Sequence, residues 1–288
     1  MNVRELALVA FTLLMQTSVG IVVVFAALPL PQASQAKAGG YWPLVGHLPT
    51  SLVVAAAAAA LGLLASLLHL GQPLLAWLAL ANVRGSWLSR EIALALLFVV
   101  ALAGVVLTHG DGRFAPFLRA AATALAVAAG LALVFAMARL YMVAGQPAWD
   151  RLVTPVNFFA STMLLGLVVL VAPADSPLAP GAERALASAA IAVLACQVLL
   201  VPALLSGVPA EPAAAIGAAS VGHAAMWLAA ARIVAAVAAA ALLVLWLRSG
   251  PAVHVPTFAR FAALALVVVS EIVGRALFYA AAVRLGPA

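Results

Sequence analysis

Long, uninterrupted runs of apolar residues constrain this chain more than any other feature. About 20 predominantly apolar residues are needed for a helix to cross the ~30 Å hydrocarbon core of a bilayer. The alanine-rich parts of these runs favour helix and show none of the alternation typical of a membrane β-barrel. The sequence therefore predicts an all-α, polytopic membrane helix bundle that forms a single integral membrane domain over residues 1–288. The eight predicted transmembrane helices are Leu6–Leu30, Leu48–Leu70, Ser89–Thr108, Ala115–Val143, Leu152–Ala174, Glu183–Leu205, Ala225–Arg248 and Phe258–Val283.

Composition excludes several other classes of protein. Hydrophobic residues make up 67% and charged residues 8% of the chain, whereas soluble domains average roughly 45–50% and about 25%. A soluble fold would leave large apolar patches in water. The net charge of +6 comes from dispersed residues and forms no basic stripe of the kind that nucleic acid requires. We therefore expect a lipid bilayer, and no nucleic acid, among the partners.

Ionisable residues embedded in the helices are concentrated near one membrane surface. With eight spans, both chain ends and the connections 2–3, 4–5 and 6–7 lie on one side, here called the proximal side; the other is the distal side. Ionisable groups at such depth are costly and usually functional. More ordinary explanations remain open, since Glu271 and Arg275 can pair within one helix and arginines can extend to the headgroups. The embedded set is His69, Glu91, Arg139, Tyr141, Arg232, Glu271 and Arg275.

The sequence indicates that any redox chemistry must use a bound organic molecule or a partner. Its one cysteine, Cys196, cannot supply the thiolates of an iron–sulfur cluster. A membrane haem would require two histidines at matching depth, and only His69 and His223 share a side, with His223 expected to precede its helix. We therefore expect no metal, no haem and no iron–sulfur cluster here. The other histidines are His47, His109 and His254.

The proximal residues suit a lipid-soluble quinone. Ring carbonyls need hydrogen-bond donors, and oxidation of a quinol needs groups that accept two protons. A histidine and a carboxylate in an apolar pocket provide such acceptors. His69 and Glu91 are therefore the candidate catalytic pair.

Several short motifs resemble the membrane anchor subunit of the dimethyl sulfoxide reductase family. They recur in the same order and cover nearly the whole chain, whereas residues 206–224 match the family poorly. The motifs are Ala65-Ser-Leu-Leu-His-Leu-Gly-Gln-Pro, Ser89-Arg-Glu-Ile, Arg139-Leu-Tyr, Gln146-Pro-Ala-Trp, Thr154-Pro-Val-Asn-Phe-Phe and Glu271-Ile-Val-Gly-Arg-Ala-Leu-Phe-Tyr.

The resemblance implies a specific role in anaerobic respiration. It implies a haem-free anchor in the bacterial cytoplasmic (inner) membrane that oxidises menaquinol to menaquinone. The electrons would pass to a four-cluster iron–sulfur subunit and from there to a molybdopterin catalytic subunit. His69 would bind the quinol, Glu91 would accept protons, and Arg232 would lie near the same site. Together with Arg139, Tyr141, Glu271 and Arg275, they would form the quinol pocket.

Three alternatives remain open at this stage. A secondary transporter could use Glu271 and Arg275 as a buried gate, although transporters often show internal repeats and broken helices. A related anchor could reduce quinone instead, with electrons running in the opposite direction. A purely structural anchor would use its ionisable residues only for packing. For the leading hypothesis, the proximal loops Gly71–Leu88 and Gln146–Val153 are the predicted contact surface for partner subunits.

Overall fold

The computed structural model describes residues 3–28, 50–69, 78, 80–108, 115–142, 146, 148–173, 180–206, 218–249 and 257–280. Within these ranges the regular structure is helical and contains no strand, which confirms the predicted all-α class. The helices of the described residues are α1 (Val3–Ala27), α2 (Thr50–His69), α3 (Trp87–Leu107), α4 (Ala115–Tyr141), α5 (Val153–Val171), α6 (Pro180–Leu205), α7 (Ala218–Arg248) and α8 (Thr257–Ala280).

Each of these eight described helices is long and apolar enough to cross a bilayer. The predicted bounds of seven helices agree with the structure to within three residues. The exception is α7, which starts at Ala218, seven residues before the predicted Ala225. His223 therefore lies inside α7. Arg232 lies about 21 Å from the start of this helix at 1.5 Å per residue, farther than the predicted start at Ala225 would place it. The chain is a multi-pass membrane protein.

The helices group into two compact units, residues 1–137 and 138–288. In the first unit α1 packs along α2, and the hydroxyl of Ser18 donates to the carbonyl of Ala55 at 2.7 Å. Gly62 of α2 allows the close approach, since a Cβ there would lie 3.1 Å from the side chain of Met15. Small residues at a crossing let membrane helices pack closely without a hydrophobic driving force.

The second unit contains α5 to α8 and the last turn of α4. Helix α7 packs along α8, while α5 contacts both α6 and α8. Near the distal ends of α6 and α8, Arg260 forms an ion pair with Glu183 at 3.7 Å. Its guanidinium also lies 4.5 Å from the ring centroid of Trp246 in α7. These contacts connect three helices at one end of the unit and leave its polar interior nearer the other end.

Candidate functional site

Glu91 lies in the second turn of α3, in the first unit, and its side chain is buried. It is 4% exposed, and its Oε2 has no hydrogen-bond partner among the described residues. A buried carboxyl oxygen without a partner is costly. It is therefore a position to which a ligand hydroxyl can donate a hydrogen bond.

The turn before α3 holds this part of the helix in place. Ser86 caps the helix by accepting a hydrogen bond from the backbone N–H of Ser89. Arg90 faces away from the buried side and donates to the carbonyls of Val83 at 2.9 Å and Arg84 at 2.6 Å. The cap and the two Arg90 bonds thus hold the start of α3, where the buried Glu91 is the next residue along the chain.

His69 is the last residue of α2, and its side chain lies outside the described residues. Helices α2 and α3 contact each other within the first unit. The pairing of His69 with Glu91 in one pocket therefore stays a prediction. His47, His109 and His254 also lie outside the described residues.

Arg232 lies at the centre of a polar cluster in the second unit. Its side chain is 2% exposed, which is incompatible with the suggestion that it extends to the headgroups. Nη2 donates to Oδ1 of Asn157 in α5 at 3.0 Å and lies 4.0 Å from Oε1 of Glu271 in α8. A Cβ on Gly274 would lie 2.8 Å from the Arg232 Cζ. The guanidinium thus occupies a space that exists because residue 274 has no side chain.

Glu271 connects the remaining members of this cluster. Its Oε2 accepts a hydrogen bond from the hydroxyl of Ser161 at 2.5 Å, and Ser161 in turn accepts one from Nε2 of Gln197 in α6 at 3.4 Å. Buried atoms that lack a hydrogen-bond partner among the described residues are Arg232 Nη1, Glu271 Oε1 and Gln197 Oε1. Buried polar atoms of this kind are commonly satisfied by ordered water.

Arg275 joins the polar cluster to an aromatic one. Its guanidinium lies 3.7 Å from the ring centroid of Phe158, a distance at which a cation is attracted to the ring face. It is 1% exposed and interacts electrostatically with Glu271, Tyr141 and Tyr279. Glu271 and Arg275 of α8 therefore have described contacts with α5 and α7: Glu271 with Ser161 and Arg232, and Arg275 with Phe158.

Tyr141 belongs to the aromatic cluster near the proximal end of this unit. Its hydroxyl lies 2.6 Å from that of Tyr279, and its ring packs edge-on against Trp149 and Phe278. The indole of Trp149 stacks on Phe278 and donates to the Phe278 carbonyl at 2.8 Å. These contacts attach the segment after α4 to the end of α8.

Two arginines of the proximal side, Arg139 and Arg151, contact other residues of this chain. Arg139 is half-buried, and its Nη1 lies 3.8 Å from the sulfur of Met142. Arg151 donates to the carbonyl of Ala203 and the hydroxyl of Ser206 at the end of α6. Of these two, only Arg151 lies in a proximal loop, and its guanidinium contacts its own chain.

The structure thus brings together Arg232, Glu271 and Arg275, with Tyr141 adjoining them through Phe158. Glu91 belongs to the first unit. Sequence reasoning missed Asn157, Ser161 and Gln197, because uncharged polar residues are unremarkable in membrane helices. The one available signal was the spacing of Asn157 and Ser161, which places both on one face of α5. Among the described residues, no group of three or more His, Cys, Asp or Glu could hold a metal ion.

The fold and these sites define a class: a polytopic membrane protein with buried ionisable groups in both of its helical units. Residues 1–281 match the family model described as the DMSO reductase anchor subunit (DmsC). The chain belongs to this family, as its motifs predicted.

Two curated relatives, each a chain of an anaerobic dimethyl sulfoxide reductase, are similar over part of the sequence. The relative from Haemophilus influenzae is 28% identical over 165 residues, 57% of each protein. The relative from Escherichia coli K12 is 35% identical over 108 residues, 37% of each protein. The matched region therefore spans about half or less of either relative. No solved structure shows significant similarity.

Proposed function

We propose that this chain anchors a dimethyl sulfoxide reductase-type complex in the bacterial cytoplasmic membrane and oxidises menaquinol. Electrons pass to an iron–sulfur subunit with four clusters, which feeds a molybdopterin catalytic subunit. Family membership and the eight apolar helices of the described residues support the anchoring role. The quinol chemistry rests on the residues below.

The observation that carries the quinol proposal is the buried Glu91. This carboxyl lies near the start of α3, which is apolar from Ile92 onward; it is 4% exposed, and its Oε2 has no partner among the described residues. A merely structural carboxyl at this depth would be expected to have its oxygens satisfied by the protein. An oxygen that lacks such a partner suits a ligand that brings its own hydroxyl donor.

Two residues of this chain accept the protons that the quinol releases. Quinol, when bound, supplies two electrons and two protons. His69, as a neutral imidazole, accepts one hydroxyl proton, and Glu91 accepts the second or stabilises the imidazolium. Arg139, Tyr141, Arg232, Glu271 and Arg275 are the secondary candidates for binding the ring. Arg232, Glu271 and Arg275 are secondary because most of their described contacts are with one another and with α5.

The test compares His69→Gln and Glu91→Gln in the assembled complex. Glutamine keeps hydrogen-bonding ability but cannot accept a proton, so each variant should lower quinol-dependent turnover at least ~10-fold, about 1.4 kcal/mol of barrier. Assembly and the dye-driven activity of the catalytic subunit should stay near normal. Glu183→Gln, a carboxyl-to-amide change at the distal end of α6, is the matched control and should leave turnover unchanged.

Two outcomes would contradict this assignment. Unchanged quinol oxidation in both variants would move the site to the secondary candidates, beginning with Arg139, Tyr141 and Arg232. Loss of the dye-driven activity together with quinol oxidation would show that His69 and Glu91 serve folding or docking.

A further inference from the structure

A groove in the first unit has no role in the function proposed above. It is a cavity of about 740 Å³ between α1, α3 and α4, within the ~300–1,000 Å³ range of ligand pockets. Its lining is apolar apart from Thr123 and Arg119. The walls include Phe25, Val105, Ala120, Ala124, Ala128 and Leu131.

Helix packing explains why the groove is open. A Cβ on Gly130 would lie 2.9 Å from Cγ1 of Val19 and 3.2 Å from Cδ2 of Phe98, so α4 is in close contact with α1 and α3 at this point. Between that crossing and the start of α4, the space beside α1 is not filled. Ala120, Ala124 and Ala128 lie four residues apart on one face of α4, and their small side chains leave the groove free.

The groove is longer than the depth of one membrane leaflet. Its walls along α4 run from Pro116 to Leu131, about 22 Å at 1.5 Å per residue. Half of the ~30 Å hydrocarbon core is about 15 Å. An acyl chain lying along α4 would therefore be covered over the depth of its own leaflet.

A positive charge lies at the outer end of the groove. Arg119, near the start of α4, donates through Nε at 3.2 Å and Nη2 at 2.8 Å to the carbonyl of Thr108, which caps α3. A guanidinium has five N–H donors, and no described carboxylate forms an ion pair with this one. It is held in position by the end of α3, with donors left for a further acceptor.

We propose that this groove binds one acyl chain of an anionic phospholipid, with the lipid phosphate at Arg119. An apolar channel that covers the depth of a leaflet, with a cation at its headgroup end, is complementary to an amphiphile with a negative head. A guanidinium binds phosphate through parallel N–H donors. A quinone carbonyl would accept an N–H bond there but carries no negative charge to pair with the guanidinium, so the groove favours the phospholipid.

The test measures lipid binding to the purified protein by native mass spectrometry. Phosphatidylglycerol and phosphatidylcholine with identical acyl chains serve as probes, and the wild type should retain the anionic lipid preferentially. Arg119→Gln should weaken phosphatidylglycerol binding about fivefold, as expected for one cation near a membrane surface, and leave phosphatidylcholine binding unchanged. Ala124→Leu should fill the groove and weaken the binding of both lipids.

Matched controls separate the groove from general lipid contact. Arg184→Gln removes another distal arginine, and Ala195→Leu enlarges an exposed alanine of α6; neither should alter binding of the anionic lipid. If Ala124→Leu does not fold, Ala120→Leu fills the groove one turn away. Equal binding of the two lipids by the wild type, or no effect of Arg119→Gln, would overturn the proposal. So would displacement of the bound phosphatidylglycerol from the wild type by menaquinone.

Discussion

At the scale of single residues, the buried guanidinium of Arg232 depends on the absence of a side chain at position 274. Its Cζ, Nε and Nη1 all lie within 3.0 Å of the place where a Cβ on Gly274 would be. The guanidinium is buried and bonded to Asn157, so it cannot move aside without losing that contact. The helical backbone at residue 274 would accept alanine, but the neighbouring guanidinium leaves no room for it.

Gly274→Ala should therefore destabilise the protein, by about 1–3 kcal/mol as expected for overpacking. Thermal unfolding of the purified protein in detergent measures the effect. Gly181→Ala is the matched control, because a Cβ at that helical position would meet nothing within 4 Å. It should be neutral or slightly stabilising. Equal stability of the two variants would show that Arg232 is free to rearrange.

Ser161 is expected to be important for stability because it is bonded to two buried groups. Ser161→Ala removes the donor to Glu271 and the acceptor for Gln197, which leaves a buried carboxyl oxygen unsatisfied and should cost about 1–3 kcal/mol. The same unfolding measurement checks it. Ser188→Ala is the control, because that exposed hydroxyl donates to the Arg184 carbonyl one turn earlier in the same helix. A cost no larger than that of the control would contradict the prediction.

The sequence predicts the charged members of this cluster but not their partners. Arg232, Glu271 and Arg275 stand out because charges inside a membrane helix are costly. Asn157 and Ser161 carry no charge, and only their side-chain bonds to Arg232 of α7 and Glu271 of α8 reveal their role. A sequence pattern does not reveal the importance of Gly274 either. This residue matters because its missing side chain leaves space for the Arg232 guanidinium.

At the scale of the helices, Gly130 determines how closely α4 approaches α1. Gly130→Ala should force the two helices apart, since the new Cβ would lie 2.9 Å from a methyl group of Val19. We expect a loss of about 1–3 kcal/mol, measured as a lower unfolding temperature. Val19→Ala in the same chain removes the clashing methyl groups and should recover part of this loss. Additive effects in the double variant would show that the two residues do not meet.

Most helix bounds could be predicted because apolar runs end at prolines, glycines and charges. The start of α7 could not, since residues 206–224 combine alanine, glycine and proline without a long apolar run. Placing that start at Ala225 made Arg232 a residue near the surface. The observed start at Ala218 places it farther along the helix, and its 2% exposed side chain lies inside the protein instead of extending to the headgroups.

At the scale of the whole molecule, the proximal loops remain the predicted surface for partner subunits. Hydrogen exchange of the complex and of the isolated anchor should differ in residues 80–86 and 148–152, with the distal ends of α3 and α6 as internal controls. Protection confined to the distal ends would show that the partners dock on the opposite side.

The cluster between α5, α7 and α8 also has a consequence for biogenesis. On leaving the ribosome, α7 carries Arg232 and α8 carries Glu271 and Arg275, and each central charge costs about 2.5–3.5 kcal/mol during insertion by the translocon. The neutralising contact of Arg232 with Glu271 forms only when both helices are present, and Asn157 and Ser161 of α5 have been synthesised before either. We expect α7 to remain beside the translocon until α8 emerges. The two helices then enter the lipid together as a hairpin, which packs against the previously inserted α5.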